Sequence, residues 1–459
     1  MVTELRAYLA RLNRWSRQSV NHRIFAAAVV VGGFTLLTKV AALIKDLVVA
    51  NQFGTSDTLD AFLIAYLLPS FAINLIAGSF NAAFIPTYIQ IREREGPRAA
   101  QRLFSNVVVC STVLLLGVSL LLALLAPYLL PLMGISFSQE KLALTRSLFL
   151  VLLPMLVITG LATIWTGILN AGQRFALAAM VPMVTPTVTF LLLLLVGKTW
   201  GGYALAVGTV GGLTLEATLL AWSLQRHGVS LVPRWYGMDV ATKQVLHQYA
   251  PMIAGAFLLG STPLVDQSIA ASLGSGSVAA LNYGNKIVVL LLNIGTMALG
   301  TAVLPHFSEM VAVGNWTGVR HTLTTYTRLI VIVTLPLTLG LMYFSEPLIR
   351  LLFERGEFRV SDSTLVGHIQ TLYLLQVPFF TLAILRVRLI SSLRANRVLM
   401  WGAAISFFLN ILLDLIFMRW WGVAGIALST STVYFVSFCY LLFMSLRLLK
   451  KVEDEYRLG

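Results

Sequence analysis

The chain has 459 residues, 58% of them from the set A, V, I, L, M, F, W, Y and C and only 11% charged, with a mean hydropathy of +0.83. A water-exposed surface needs about a quarter of its residues charged, so this composition excludes an ordinary soluble protein. The apolar runs are long and unalternating, as at 107–132 and 148–169, which excludes a β-barrel and predicts an all-α polytopic membrane protein. The net charge of +14 reads as basic loops meeting anionic headgroups, with no nucleic acid as partner.

In chain order, residues 1–23 interleave Arg6, Arg11, Arg14, Arg17 and Arg23 with Leu5, Tyr8, Leu9, Leu12 and Trp15, which predicts an amphipathic helix on the inner membrane surface. No small-residue cleavage pattern stands out after it, so the next apolar run reads as a retained span rather than a signal peptide. Twelve spans are expected, at 24–50, 58–91, 103–133, 143–169, 175–197, 201–224, 244–273, 277–312, 320–345, 363–394, 398–418 and 422–449. They group into an N-terminal six-helix bundle (24–225), a basic linker (226–243), a C-terminal six-helix bundle (244–449) and a tail (450–459).

Basic residues mark alternate loops: Arg92, Arg94, Arg98 and Arg102; Arg174; Arg226, Arg234 and Lys243; Arg320; Arg394 and Arg397. By the positive-inside rule these loops and both termini face the cytoplasm. The opposite loops are poor in Lys and Arg except at 348–362, where Arg350, Arg355 and Arg359 alternate with Glu354, Glu357 and Asp362. That segment reads as a folded, self-neutralising external loop.

Three pairs of segments repeat at offsets near 220 residues: LFLVLLPM (148–155) with LYLLQVPF (372–379), KTWG (198–201) with RWWG (419–422), and AAFIPTY (82–88) with TAVLPHF (301–307). The chain therefore reads as a duplicated six-helix unit with parallel repeats around a central cavity, the architecture of an alternating-access transporter.

Charges inside spans cost about 2.5 to 3.5 kcal/mol each at the bilayer centre and are functional candidates by default. Here they are Lys39, Lys45 and Asp46 in the first span, Asp60 opening the second, Glu216 in the sixth, Asp266 in the seventh, Lys286 in the eighth and Asp414 in the eleventh. Lysines suit an anionic group such as phosphate, while Lys45 paired with its neighbour Asp46 is an equal alternative. Asn410 and Asp414 are four apart and share a helix face. With Asp266 and Thr430 they form either a small-cation cage or a polar contact between helices. For Glu216 a polar helix contact is favoured over a proton carrier.

The runs KVAALIKDLVVANQFGTSDTLDAFLIAYLLPSF, NAAFIP, GSGSVAALNYGNKI with ALGTAVLP, LLFERGEF and WGVAGIALSTS resemble, in order over almost the whole chain, the MurJ/MviN lipid II flippase family. The resemblance implies a flippase, not an enzyme. It would move a polyprenyl-diphosphate-linked cell-wall precursor to the outer leaflet of a bacterial cytoplasmic membrane, acting as a monomer whose partners are the lipid-linked saccharide and the bilayer. It implies a substrate-binding set at Lys39, Lys45, Asp46, Asp60, Asn285 and Lys286, with apolar or neutral residues at Leu67, Ile73 and Asn74 where the family is basic. It further implies a sodium ion at Asp266, Asn410, Asp414, Thr430 and a carbonyl near Ile426, and no other cofactor. Many members have two further C-terminal spans, whereas this chain ends after the twelfth. Export of another polyprenyl-linked oligosaccharide or of a small amphiphile is the alternative within the class. A membrane glycosyltransferase would be expected to carry an acidic constellation in a sizeable external loop, and 348–362 is too short for one.

Overall fold

The computed structural model describes residues 20–458, so most of the expected amphipathic segment 1–23 lies outside the described residues. It is all-helical. The helices in order are α1 (Val20–Phe53), α2 (Asp57–Ile73), α3 (Ser79–Arg94), α4 (Pro97–Met133), α5 (Gln139–Leu152), α6 (Met155–Ala171), α7 (Phe175–Met180), α8 (Val184–Trp200) and α9 (Gly202–Arg226). The second half of the chain forms α10 (Val240–Gly260), α11 (Thr262–Ala271), α12 (Ser277–Ala312), α13 (Trp316–Tyr343), α14 (Ser345–Phe353), α15 (Val360–Leu374), α16 (Gln376–Ser392), α17 (Asn396–Trp421) and α18 (Val423–Leu458). Among the described residues ten helical stretches are long and apolar enough to cross a membrane. They fall on ten of the twelve expected spans. The other two expected spans are also helical, as α1 and as α10 with α11.

Several spans are broken where the chain chemistry calls for it. α2 carries Pro69 and passes through a π-helical turn, Asn74–Gly78, into α3. Such a turn absorbs one residue beyond the α-helical register and so re-aims the helix that continues from it.

The internal repeat reappears in the backbone. α5 gives way to α6 around Pro154, and α15 to α16 just before Pro378, at matching points of the first repeated pair. Gly201 (φ 52°, ψ −131°) and Gly422 (φ 56°, ψ −134°) take the same glycine-favouring conformation at the ends of KTWG and RWWG. Gln173 and Arg394, in the two loops LNAGQR and LRANR, are the described non-glycine residues at positive φ, 58° and 57°. Two copies of one loop conformation at each point are what a duplicated unit leaves behind.

By its contacts the chain forms two compact units. The first holds residues up to Val49, Leu68–Ala126 and Arg146–Ile253. Its core gathers Phe84, Phe104, Val107, Leu115, Ile164, Ile168, Leu220 and Tyr249. The basic linker belongs to it: Ser105 Oγ donates to Arg234 O (2.8 Å), Asn106 Nδ2 donates to Gly237 O (2.9 Å), and Tyr236 N–H donates to Asn106 Oδ1 (2.8 Å). In the same unit Thr185 Oγ1 donates to Glu216 Oε2 at 2.8 Å, so Glu216 makes the polar helix contact.

The second unit holds Ala50–Leu67, Pro127–Thr145 and everything from Ala254 onward. One part of its core packs Val303, Phe307, Ile330, Leu385 and Leu389. The charged segment 348–362 is folded here, as its alternating signs require: Arg350 pairs with Glu346 (2.6 Å), and Asp362 accepts from the Arg359 N–H (2.8 Å) and Thr55 Oγ1 (2.8 Å). Beneath it Tyr283, Phe353 and Phe358 form an aromatic cluster with centroids 5.3 to 5.9 Å apart.

Candidate transport and ion sites

Among the candidate cation ligands, all four side chains meet in the second unit. Asn410 and Asp414, one turn apart on α17, are both 0% exposed. Thr430 of α18 shares its hydroxyl between Asp266 Oδ2 (3.3 Å), on α11, and the Ile426 carbonyl (3.1 Å). Asp266 and Asp414 lie close enough to act on one another electrostatically, and Asp266 likewise reaches Asn410.

The hydrogen-bonding capacity of this cluster is largely unspent. Asp266 Oδ1, both oxygens of Asp414 and both polar atoms of the Asn410 amide are buried without a hydrogen-bond partner. Two carboxylates together in such a place cost several kcal/mol unless positive charge compensates them. Hard oxygen donors, two of them anionic, fit a small cation of the alkali or alkaline-earth kind. Asp266, Asn410 and Thr430 line a cavity of about 580 Å³, which gives such an ion room to enter.

Asn285 lines the same cavity, with Tyr373 and Gln376. Its Oδ1 is buried and unpartnered as well. The residue expected beside the substrate through its neighbour Lys286 therefore sits with the cation cluster in this conformation.

The remaining candidates divide between the units. Lys39, exposed, and Lys45 stand on α1 in the first unit, where Lys45 Nζ pairs with Asp46 Oδ1 at 2.7 Å. Lys286 is on α12 in the second, half-buried.

Asp60, at the start of α2, is 0% exposed and its carboxylate is engaged on both oxygens. Oδ2 meets Lys141 Nζ (2.9 Å) and accepts from the Gly276 N–H (2.7 Å), and Oδ1 accepts from the Ala279 N–H (2.8 Å). Gly276 and Ala279 form the N-terminus of α12, whose unpaired N–H groups and dipole favour a carboxylate there. Asp57 binds the same lysine at 2.5 Å, and Lys141 Nζ lies 4.0 Å from the centre of the Phe137 ring. In this conformation Asp60 acts as a clasp on a helix end.

Glycine makes the close approaches around this clasp possible. A Cβ on Gly54 would run into the Glu357 carbonyl, one on Gly356 into the Asn51 carbonyl and one on Gly276 into the Thr55 carbonyl, and all three have positive φ. The Glu357 N–H donates to Asn51 O at 2.9 Å.

Lys141 was not legible as a partner in the sequence. It stands at the head of an apolar run, where a single charge reads as the end of a span. The one clue is that Asp57 and Asp60 lie on one turn of α2 and call for a cation.

An all-helical, duplicated, multi-span chain with charged groups buried inside its spans has close structural counterparts. A structure described as lipid II flippase MurJ in an inward closed conformation aligns with a TM-score of 0.79 at 23% identity, covering 92% of this chain and 90% of the other. An inward-facing multidrug resistance MATE family transporter aligns with a TM-score of 0.72 at 14% identity, over 92% and 99%. In sequence, a probable lipid II flippase MurJ of Rhizobium meliloti is 28% identical over 370 residues, 77% of this chain and 67% of its own length. Its counterpart in Vibrio cholerae is 26% identical over 443 residues, 92% and 83%. The profile of the family described as lipid II flippase MurJ matches residues 49–456, from the end of α1 to the end of α18, and with it the chain belongs to that family of membrane transporters.

Proposed function

We propose that the chain is a flippase that carries a polyprenyl-diphosphate-linked cell-wall precursor of the lipid II type from the inner to the outer leaflet of the cytoplasmic membrane. The observation that carries this reading is the family match over 49–456. The burial of ionisable groups within the spans supports it, since a chain that only anchored itself in lipid would not meet that cost. Both termini and residues 226–243 face the cytoplasm and 346–362 the outside, in keeping with the distribution of Arg and Lys. The protein works as a monomer.

Lys39, Lys45 and Lys286 supply the positive charge for the diphosphate. An ammonium binds phosphate as a point charge, so these positions need charge more than a fixed fork geometry. Asp46 holds Lys45 until the anion arrives.

Asp266, Asn410, Asp414 and Thr430, with the Ile426 carbonyl, would hold a sodium ion. When bound, the ion supplies the positive charge that two buried carboxylates require. Sodium is preferred to a proton because Asn410 and Thr430 add neutral oxygens that coordinate a metal but are not needed to hold a proton. The cluster joins α11, α17 and α18, so any ion affinity that differs between two conformations biases the choice between them.

A second cargo is favoured by one feature: Leu67 and Ile73 are apolar and buried. Fewer cations suit a cargo with less negative charge, such as a polyprenyl-linked oligosaccharide without the carboxylates of a peptide, or a small amphiphile. The test is to supply this gene to bacteria depleted of their lipid II flippase. Restored growth and cell shape support lipid II as cargo, and lysis despite normal membrane levels of the protein removes it.

A further inference from the structure

A second cavity of about 430 Å³ lies within the second unit, lined from α13, α16 and α18 and separate from the cation cluster. Arg386 of α16 lines it and is only 6% exposed. Its Nε and Nη1 are buried without a hydrogen-bond partner. Arg320 and Arg328 of α13, two turns apart and so on one helix face, line the same cavity. Between them Thr327 turns a hydroxyl that is also buried and unpartnered. No Asp or Glu is among the described lining residues.

A buried carboxylate can escape its desolvation by taking a proton, but a guanidinium does not shed its charge in proteins. Arg386 therefore calls for an anion. Its planar fork matches two oxygens of a phosphate, and Arg328 and the Thr327 hydroxyl provide further donors that such a group accepts. Leu323 of α13 and Leu446 and Leu449 of α18 add apolar lining, which suits an ester substituent on the phosphate.

We infer that this cavity is a binding site for a phosphate monoester or diester, distinct from the transport site. Two sources offer that chemistry: the headgroup of an anionic phospholipid and a phosphate-bearing solute. The position favours neither over the other by chemistry alone. Arg386 lies six residues before the end of α16 at Ser392, about 9 Å along the axis, a depth at which a headgroup phosphate and a cytoplasmic solute both reach it if the proposed orientation holds.

The experiment uses the full chain, purified in an uncharged detergent and stripped of lipid. Native mass spectrometry and equilibrium binding are read with two probes, phosphatidylglycerol in mixed micelles and inorganic phosphate at constant ionic strength. One equivalent of either probe should bind the wild type. Its affinity should fall about tenfold or more in Arg386→Gln and in the double variant Arg320→Gln/Arg328→Gln, the loss of one charge-assisted contact or more. Binding of phosphatidylglycerol alone assigns the lipid source, and binding of inorganic phosphate the soluble one. The double variant changes exposed residues only and keeps the test decisive if Arg386→Gln does not fold. Absence of binding by the wild type to both probes, or an affinity that the double variant leaves unchanged, overturns the site.

Discussion

Asp60 and Lys141, 81 residues apart in sequence, form a buried ion pair at 2.9 Å in which the aspartate also accepts two N–H groups from the start of α12. The pair joins three chain segments that lie far apart in sequence. Without Lys141 the fully buried Asp60 would lack its counter-ion, whereas without Asp60 the lysine keeps Asp57 at 2.5 Å.

That arrangement sets the first prediction. Lys141→Met should destabilise the protein by about 3 to 5 kcal/mol, the usual result of stranding one half of a buried pair, and Asp60→Asn by less, because Lys141 keeps Asp57 as its partner. The double variant should lose less than the sum of the two. Thermal unfolding in detergent measures this, and strictly additive losses would mean that the two residues do not act as a pair.

A second prediction concerns the backbone contact at Gly54. Gly54 and Gly201 both have φ near +50°, but a Cβ on Gly54 meets the Glu357 carbonyl while one on Gly201 meets open space. Gly201→Ala should cost about 1 to 3 kcal/mol through backbone strain alone, and Gly54→Ala distinctly more. Equal losses in thermal stability would show that the approach to residue 357 is not tight.

The third prediction is for the cation cluster. Sodium, but not choline at equal ionic strength, should raise the unfolding temperature of the purified protein. Asp414→Asn and Asp266→Asn should each abolish that rise and slow transport. If both variants keep the sodium effect, the cluster is a polar contact and the ion binds elsewhere.

Much of this was legible in the sequence, for physical reasons that differ by residue. The spans can be read from hydropathy, because a bilayer demands long apolar helices with little regard to their neighbours. Asn410 and Asp414 announce a shared face through their spacing of four, and the structure brings Asp266 and Thr430 to them. The partner of Asp60 was hidden, since hydropathy says where a helix crosses but not what it packs against. The same blindness concealed that 50–67 and 127–145 pack with the C-terminal half. Arg386 was hidden within the expected tenth span, where an apolar window tolerates one or two charges without changing its reading.

Topology gives a fourth prediction. In a chain lacking Cys110 and Cys439, a cysteine at the exposed position Ser361 should react with an impermeant thiol reagent in intact cells. Reaction only after the cells are broken open would reverse the orientation.

The central claim is that this chain moves a lipid-linked cell-wall precursor across the membrane, and the most direct test is to track the precursor itself. In cells whose own lipid II flippase has been switched off, lipid II reaching the outer leaflet is scored by cleavage with an externally added, membrane-impermeant enzyme. Expression of this chain should restore cleavage, and the Lys39→Ala/Lys45→Ala/Lys286→Ala variant should not, while the corresponding Arg replacements retain part of it. Lipid II that stays protected in cells producing the wild-type chain, or cleavage undiminished in the triple Ala variant, would contradict the account.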